Sequence, residues 1–345
     1  MKTGKRKNLH IEIAMQKKSQ FRKTTLLEEV ELIHNPLVDF ELNEIDLKTN
    51  FLGKKFSFPL SIRPITGGTE KSFELNKNIA LACEKKGVGF SLGSMRAGLE
   101  NKGKTKYFKL RKYCPSVLIE ANIGALELAK YPTKNIDGFV SEIKADAISV
   151  HLNSAQELMQ DTKTKGFSKE FDNIKKFAEE SDFPVIVKEV GNGISFETAK
   201  KLDKTKIKAI DVAGKGGTSF VKIDSILHNR KRLGQVFGEF GIPTSASILM
   251  TRKASDKQII ASGGIKNGLN IAKSLVLGAD LAGIAGSALK NAGNEKKIKG
   301  LLDSMEQELR ISMFLIGAKN IKELKKKKFV LQNNLIEWNN LILSL

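Results

Sequence analysis

Cysteine is nearly missing: Cys83 and Cys114 are the two in a chain of 345 residues. They supply neither a disulfide framework nor the spacing of a zinc site, and each reads as a small buried hydrophobe. Also missing is an apolar run long enough to cross a bilayer, since the longest, around residues 275–285, is broken by Asp280. The basic N-terminus is not followed by the apolar stretch of a signal peptide, so a cytoplasmic protein without membrane contact is expected. No Ser/Pro-rich linker or shift in composition splits the chain into separate domains. Acidic residues are scarce beside basic ones, 38 against 58, leaving a formal charge of +20. Such a balance suits nucleic acid or anionic small molecules. The lysines are spread out, however, apart from one run at 325–328; no basic stripe alternates with aromatics, and no zinc-finger, RNA-recognition or helix-turn-helix pattern occurs. A solvated charged surface is the simpler account, and nucleic acid is not expected as a partner.

What is present is a recurring texture. Hydrophobic residues make up 41% of the chain, ample for a packed core. From residue 58 onward apolar bursts alternate with Gly-rich turns and amphipathic segments. The bursts lie at 59–62, 88–92, 117–123, 147–152, 184–190, 210–213, 259–261 and 281–284. They are continuous rather than alternating, as parallel strands covered on both faces require, and the gaps are mostly wide enough for crossover helices. Eight such units in series predict a closed (β/α)₈ barrel in a single domain with an N-terminal extension. Ile248 marks a ninth candidate strand, but Pro243 and the Ser/Ala run after it suit a helix start instead.

The polar residues cluster at burst ends: Thr66-Gly67-Gly68, Ser94 and Arg96, Asn122, then His151, Asn153, Gln156 and Glu157, Lys188, and Gly216-Gly217-Thr218-Ser219. A barrel brings these positions to one rim. After the seventh and eighth bursts, Gly263, Gly264, Ala285 and Gly286 are small enough for backbone N–H groups to approach a phosphate, or simply to make tight turns. Asn122 and Thr218 serve turn backbone or a ligand equally well. An unpaired Lys188 ammonium in an apolar strand calls for a buried partner or an anionic cofactor. Glu157 is an ordinary helix-start carboxylate or a single-carboxylate Mg²⁺ ligand. His151 is a core histidine or, beside Asn153 and Gln156, a ligand contact; His34 and His228 have no such company. Arg6, Lys7 and His10, close together in RKNLH, suit a diphosphate by charge-assisted hydrogen bonds.

With these residues in place, the chain resembles the type 2 isopentenyl-diphosphate isomerases over roughly residues 5–330. The resemblance rests on RKNLH at 6–10, ITGGTE at 65–70, GSMR at 93–96, NIGA at 122–125, HLNSAQE at 151–157, VKEVGNGIS at 187–195, DVAGKGGTS at 211–219, IPTSAS at 242–247, ASGGIKNG at 261–268 and ELRISMFLIGAKNI at 308–321. It implies isomerisation of isopentenyl diphosphate to dimethylallyl diphosphate, an allylic double-bond shift in isoprenoid biosynthesis, with reduced FMN as the acid/base, NADPH as its reductant, and Mg²⁺. Pro64, Ile65, Thr66, Ser94, Asn122, Lys188, Thr218, Gly263, Gly264, Ala285 and Gly286 would bind FMN. Arg6, Lys7, His10, Ser94, Arg96, His151, Asn153 and Gln156 would hold the diphosphate substrate, Gln156 orienting it, and Glu157 would carry Mg²⁺. The implied division is an extension at 1–57 carrying the RKxxH cations, a flavin-binding barrel at 58–330, and a packing or subunit-contact helix at 331–345 in a homo-oligomer, a tetramer or octamer.

Three positions depart from the family pattern. Small residues and Met usually precede Thr-Gly-Gly, where this chain has Arg63, Pro64 and Ile65; Lys215 replaces a small residue; Phe220 stands where Trp is common. An FMN-dependent 2-hydroxy-acid oxidase shares the ASGGI and AG features, but the His base it needs late in the barrel has no counterpart after the seventh burst. A catalytically dead flavin-binding or RNA-associated protein would explain the charge; intact Arg6, Lys7, Arg96, Gln156 and Glu157 argue against it.

Overall fold

The computed structural model describes residues 3–345, with side chains from Leu9 onward. Each of the eight bursts overlaps a strand: β1 (Leu60–Ile62), β2 (Gly89–Ser91), β3 (Ile119–Gly124), β4 (Ala147–His151), β5 (Val185–Lys188), β6 (Ala209–Asp211), β7 (Gln258–Ser262) and β8 (Leu281–Ile284). They form one closed parallel barrel in chain order, sealed where Ala282 of β8 faces Leu60 of β1. The ninth candidate is a helix, Thr244–Ala254, entered through Pro243.

Inward-facing residues recur every second position along a strand, and they sort by depth. The lowest layer is apolar: Leu118, Ala147, Ile186, Ala209, Ile260 and Leu281. It is closed from below by an antiparallel hairpin, Thr49–Phe51 with Lys54–Phe56, whose Phe51 and Phe56 rings meet edge-on at 6.4 Å. Two residues further along four of these strands the interior turns polar, with Glu120, Ser149, Asp211 and Ser262 buried, as is Ser61 of β1. One more step brings Asn122 and His151 to the rim, where Lys188, the residue after next from Ile186, pairs in register with His151.

The helices outside follow local rules. Glu70–Lys86 starts at Thr69, whose side chain accepts from the Ser72 N–H, and stops at Gly87 with φ +63°. Against it and against Gly268–Val276 packs the long helix Glu295–Leu315.

Residues before the barrel carry more regular structure than their sequence pattern announces. The helix Thr3–Ala14 packs on the helix Phe220–Leu227 at the barrel top. Val30–Leu32 pairs antiparallel with Phe329–Leu331, so the two ends of the chain are tied together. The Glu29 carboxylate strengthens the tie by accepting from the Leu335 N–H at 2.7 Å. The last helix, Asn333–Ser344, lies on Thr244–Ala254 through Ile342, Met250, Phe196 and Trp338. Among the described residues no helix is long and apolar enough to cross a membrane.

Candidate active site at the barrel rim

A cavity of about 490 Å³ opens at the C-terminal ends of the strands, within the size range of small-molecule sites. Every described residue expected from the sequence lines it: His10, Pro64, Ile65, Thr66, Ser94, Arg96, Asn122, His151, Asn153, Gln156, Glu157, Lys188, Thr218, Gly263, Gly264, Ala285 and Gly286. The side chains of Arg6 and Lys7 lie outside the described residues. Of the departures from the family pattern, Arg63 and Phe220 also line the cavity. Lys215 does not; it is buried in the loop beside Pro243, and burial and the neighbouring Lys23 lower its pKa.

The loops after β6 and β7 meet backbone to backbone. Gly263 has φ +98°, and a Cβ there would sit 2.0 Å from the Gly214 carbonyl oxygen. Glycine is therefore required for the approach, which leaves main-chain amides rather than side chains facing the cavity.

Across the cavity, Gln156 is fixed at both ends of its amide. Its Nε2 donates to Asp224 Oδ2 at 2.6 Å, and its Oε1 accepts from Asn153 Nδ2 at 3.2 Å. Asp224 is fully buried and its other oxygen lies 3.0 Å from His10 Nε2, so one carboxylate joins Gln156 to the N-terminal helix. Sequence reasoning missed Asp224; the signal was an acidic residue inside a mostly apolar helix, FVKIDSIL.

His151 Nδ1 lies 2.8 Å from Asn122 Oδ1. Burial, reinforced by Lys188, lowers its pKa to about 3, so it is a neutral ring. With Asn122 Oδ1 accepting, Nδ1 carries the proton. Burial also lowers the Lys188 pKa, against the upward pull of Asp211.

Carboxylates crowd one side of the mouth. Burial raises the Glu157 pKa, and Glu127 and Asp224 push the same way against the Asn153 hydrogen bond. Glu170 is raised to about 7 by burial and then by Glu157 and Glu127. The nearby cations are Arg96, 2.7 Å from Glu100 and 3.4 Å from Glu127, and Lys130, 3.9 Å from Glu127. Among the described residues no three His, Cys, Asp or Glu side chains are grouped to hold a metal ion.

Comparison with known proteins sharpens this geometry. The family model described as FMN-dependent dehydrogenase matches residues 122–331, more than half the chain. Proteins named isopentenyl-diphosphate delta-isomerase are similar over nearly the full length. That of Pyrobaculum islandicum is 40% identical over 98% of this chain and 98% of its own. That of Chlorobium limicola is 39% identical, covering 96% and 97%, and that of Methanocaldococcus jannaschii 38%, covering 96% of each. The chain belongs to the type 2 isopentenyl-diphosphate isomerases. A mandelate oxidase solved with (S)-mandelic acid shares the fold of this isomerase-family chain, with a TM-score of 0.65 over 95% of this chain and 98% of that one, at 15% identity. At that identity the likeness is one of architecture alone.

FMN fits the cavity of this family member on physical grounds. The glycine-lined approach of the β6 and β7 loops leaves backbone donors for a phosphate. The floor carries Lys188 and the buried guanidinium of Arg63, whose Nη2 has no hydrogen-bond partner. Both suit an anionic, acceptor-rich ring.

Proposed function

We propose that the chain interconverts isopentenyl and dimethylallyl diphosphate, with FMN in its reduced form. The observation that carries this reading is Gln156, held by Asp224 and Asn153 at the wall of a flavin-sized cavity. Reduced flavin, when bound, supplies the acid/base chemistry and NADPH the reducing equivalents that first form it.

The side chains have the tasks of binding, orienting and excluding water. Amides at Gly263, Gly264, Ala285 and Gly286 hold the cofactor phosphate, while Pro64, Ile65, Thr66, Ser94, Asn122, Lys188 and Thr218 surround the rest of it. Arg6, Lys7, His10 and Arg96 are the cations for the substrate diphosphate, with Ser94, His151 and Asn153 as hydrogen-bonding partners. A neutral His151 contributes one N–H and no charge.

Glu157 sits among carboxylates with too little positive charge nearby, and a divalent cation relieves that crowding. With one protein carboxylate, Mg²⁺ takes its remaining ligands from diphosphate and water. The N-terminal helix, fastened by His10 to Asp224, covers the mouth and keeps water from a cationic reacting centre. Self-association into a tetramer or octamer, and action in the cytoplasm, belong to the same reading. So does the division into a substrate-binding extension (1–57), a flavin barrel (58–330) and a terminal packing helix (331–345).

The test is isomerisation in D₂O. Protonation of the terminal methylene must place solvent deuterium in a methyl group of dimethylallyl diphosphate. Product formed without deuterium in that methyl group, or an oxidised product instead, would overturn the reading.

A further inference from the structure

Arg63 is 2% exposed at the end of β1, inside the barrel and directly beneath the cavity. Its Nε donates to Asp211 Oδ2 at 2.9 Å and its Nη1 to Glu120 Oε1 at 2.7 Å. The carboxylates are themselves fixed, Glu120 by Ser149 Oγ at 2.7 Å and Asp211 by Ser262 Oγ at 2.6 Å. Room for the arginine stem comes from Gly283 of β8, where a Cβ would lie 2.5 Å from Arg63 Cγ. A guanidinium has five N–H donors, and this one is locked by its stem and two carboxylates while Nη2 is buried without a partner. Leaving such a donor unsatisfied is costly, more so on a charged group. The natural acceptor comes from the cavity side.

We propose that Arg63 is a cofactor-tuning residue whose free Nη2 N–H is held for an acceptor on the ring of bound FMN, its charge adding to that of Lys188 to favour reduced over oxidised flavin. The proposal rests on FMN occupying the cavity, and it adds a residue at a position where the family pattern has a small one. The chemistry follows from charge balance. Oxidised flavin is neutral in its ring; uptake of two electrons and one proton gives an anionic reduced ring, whose charge a neighbouring cation stabilises. The two floor cations are in tension without it: burial lowers the Lys188 pKa and the Arg63 charge lowers it further.

The experiment is a redox titration of the FMN-loaded full chain, comparing the parent with Glu120→Gln and with the Arg63→Gln/Glu120→Gln double variant. The double variant removes one charge of each sign and leaves Asp211 opposite Lys188. The expected result is about a tenfold loss of affinity for reduced relative to oxidised FMN, a fall of about 30 mV in the two-electron potential. Glu120→Gln alone retains the arginine and makes the floor more positive, so its potential rises. A packing role alone would shift stability without this opposite pair of shifts. Unchanged potentials in both variants, or shifts of the same sign, would overturn the proposal. Should the double variant fail to fold, Arg63→Lys decides: it keeps the charge but lacks the Nη2 donor, so a potential below the parent's is expected and an unchanged one overturns the proposal. If the parent binds FMN but forms no dimethylallyl diphosphate, the isomerase reading fails while the potentials still decide the role of Arg63.

Discussion

At the scale of single residues, the site works by holding neutral and charged groups in fixed states. Asp224 is the hinge of that arrangement, because it sets the Gln156 amide and receives His10. Replacing it with Ala removes a hydrogen bond to a charged acceptor, a contact on the order of 1.5–3 kcal/mol. The expected outcome is a fall in kcat of about 10- to 100-fold with FMN retained, checked by steady-state kinetics and flavin absorbance. Gln156→Ala and Glu157→Ala are expected to lose isomerase activity by about 100-fold and to keep FMN; flavin lost from both would mean the cavity has been wrongly divided between cofactor and substrate. His151 gives a pH prediction with a definite sign. Its pKa falls from 6.5 to about 3 on folding, so below pH 6.5 the unfolded chain binds a proton that the native one refuses. Native stability from this group is therefore present above pH 6.5 and is lost as pH falls towards about 3, by at most about 1.4 kcal/mol per unit. Urea unfolding should show the stability difference between parent and His151→Asn shrinking as pH falls from 7 to 5. The burst-end residues were legible because a barrel sends strand ends to one rim. The Arg63, Glu120 and Asp211 network was not, since its members belong to three different strands and meet only through the barrel's register.

At the scale of elements, the barrel is closed below by a hairpin and shaped above by glycine loops. Phe51 is fully buried in the lowest layer. Phe51→Ala should cost about 3–5 kcal/mol, read by urea denaturation, without moving any residue of the rim. Gly263→Ala is the complementary case. A side chain at φ +98°, placed against the Gly214 carbonyl, must push the β6 and β7 loops apart, so the purified variant should emerge depleted of FMN while its circular dichroism stays that of the parent. The strands were readable because each is buried on both faces and so forms an unbroken apolar burst. Elements with weaker local signals escaped. The helix Thr3–Ala14 mixes cations among its apolar residues without a clean stripe, and Val30–Leu32 is three residues long, defined as a strand only by its distant partner Phe329–Leu331.

At the scale of the whole molecule, polarity is graded along one axis, from the phenylalanine plug through a buried ionic layer to a cavity bordered by the N-terminal helix. That gradient suits a reaction that keeps its charge away from water and returns its cofactor unchanged. The excess of lysine has no structural account beyond a solvated surface. The reaction itself is tested most directly by anaerobic incubation of the full chain with FMN, NADPH, Mg²⁺ and isopentenyl diphosphate, following dimethylallyl diphosphate and NADPH together. The account predicts product in large excess over NADPH consumed, with activity falling when Mg²⁺ is removed by chelation. Product that rises one for one with NADPH oxidation, or none at all despite bound and reducible flavin, would contradict it.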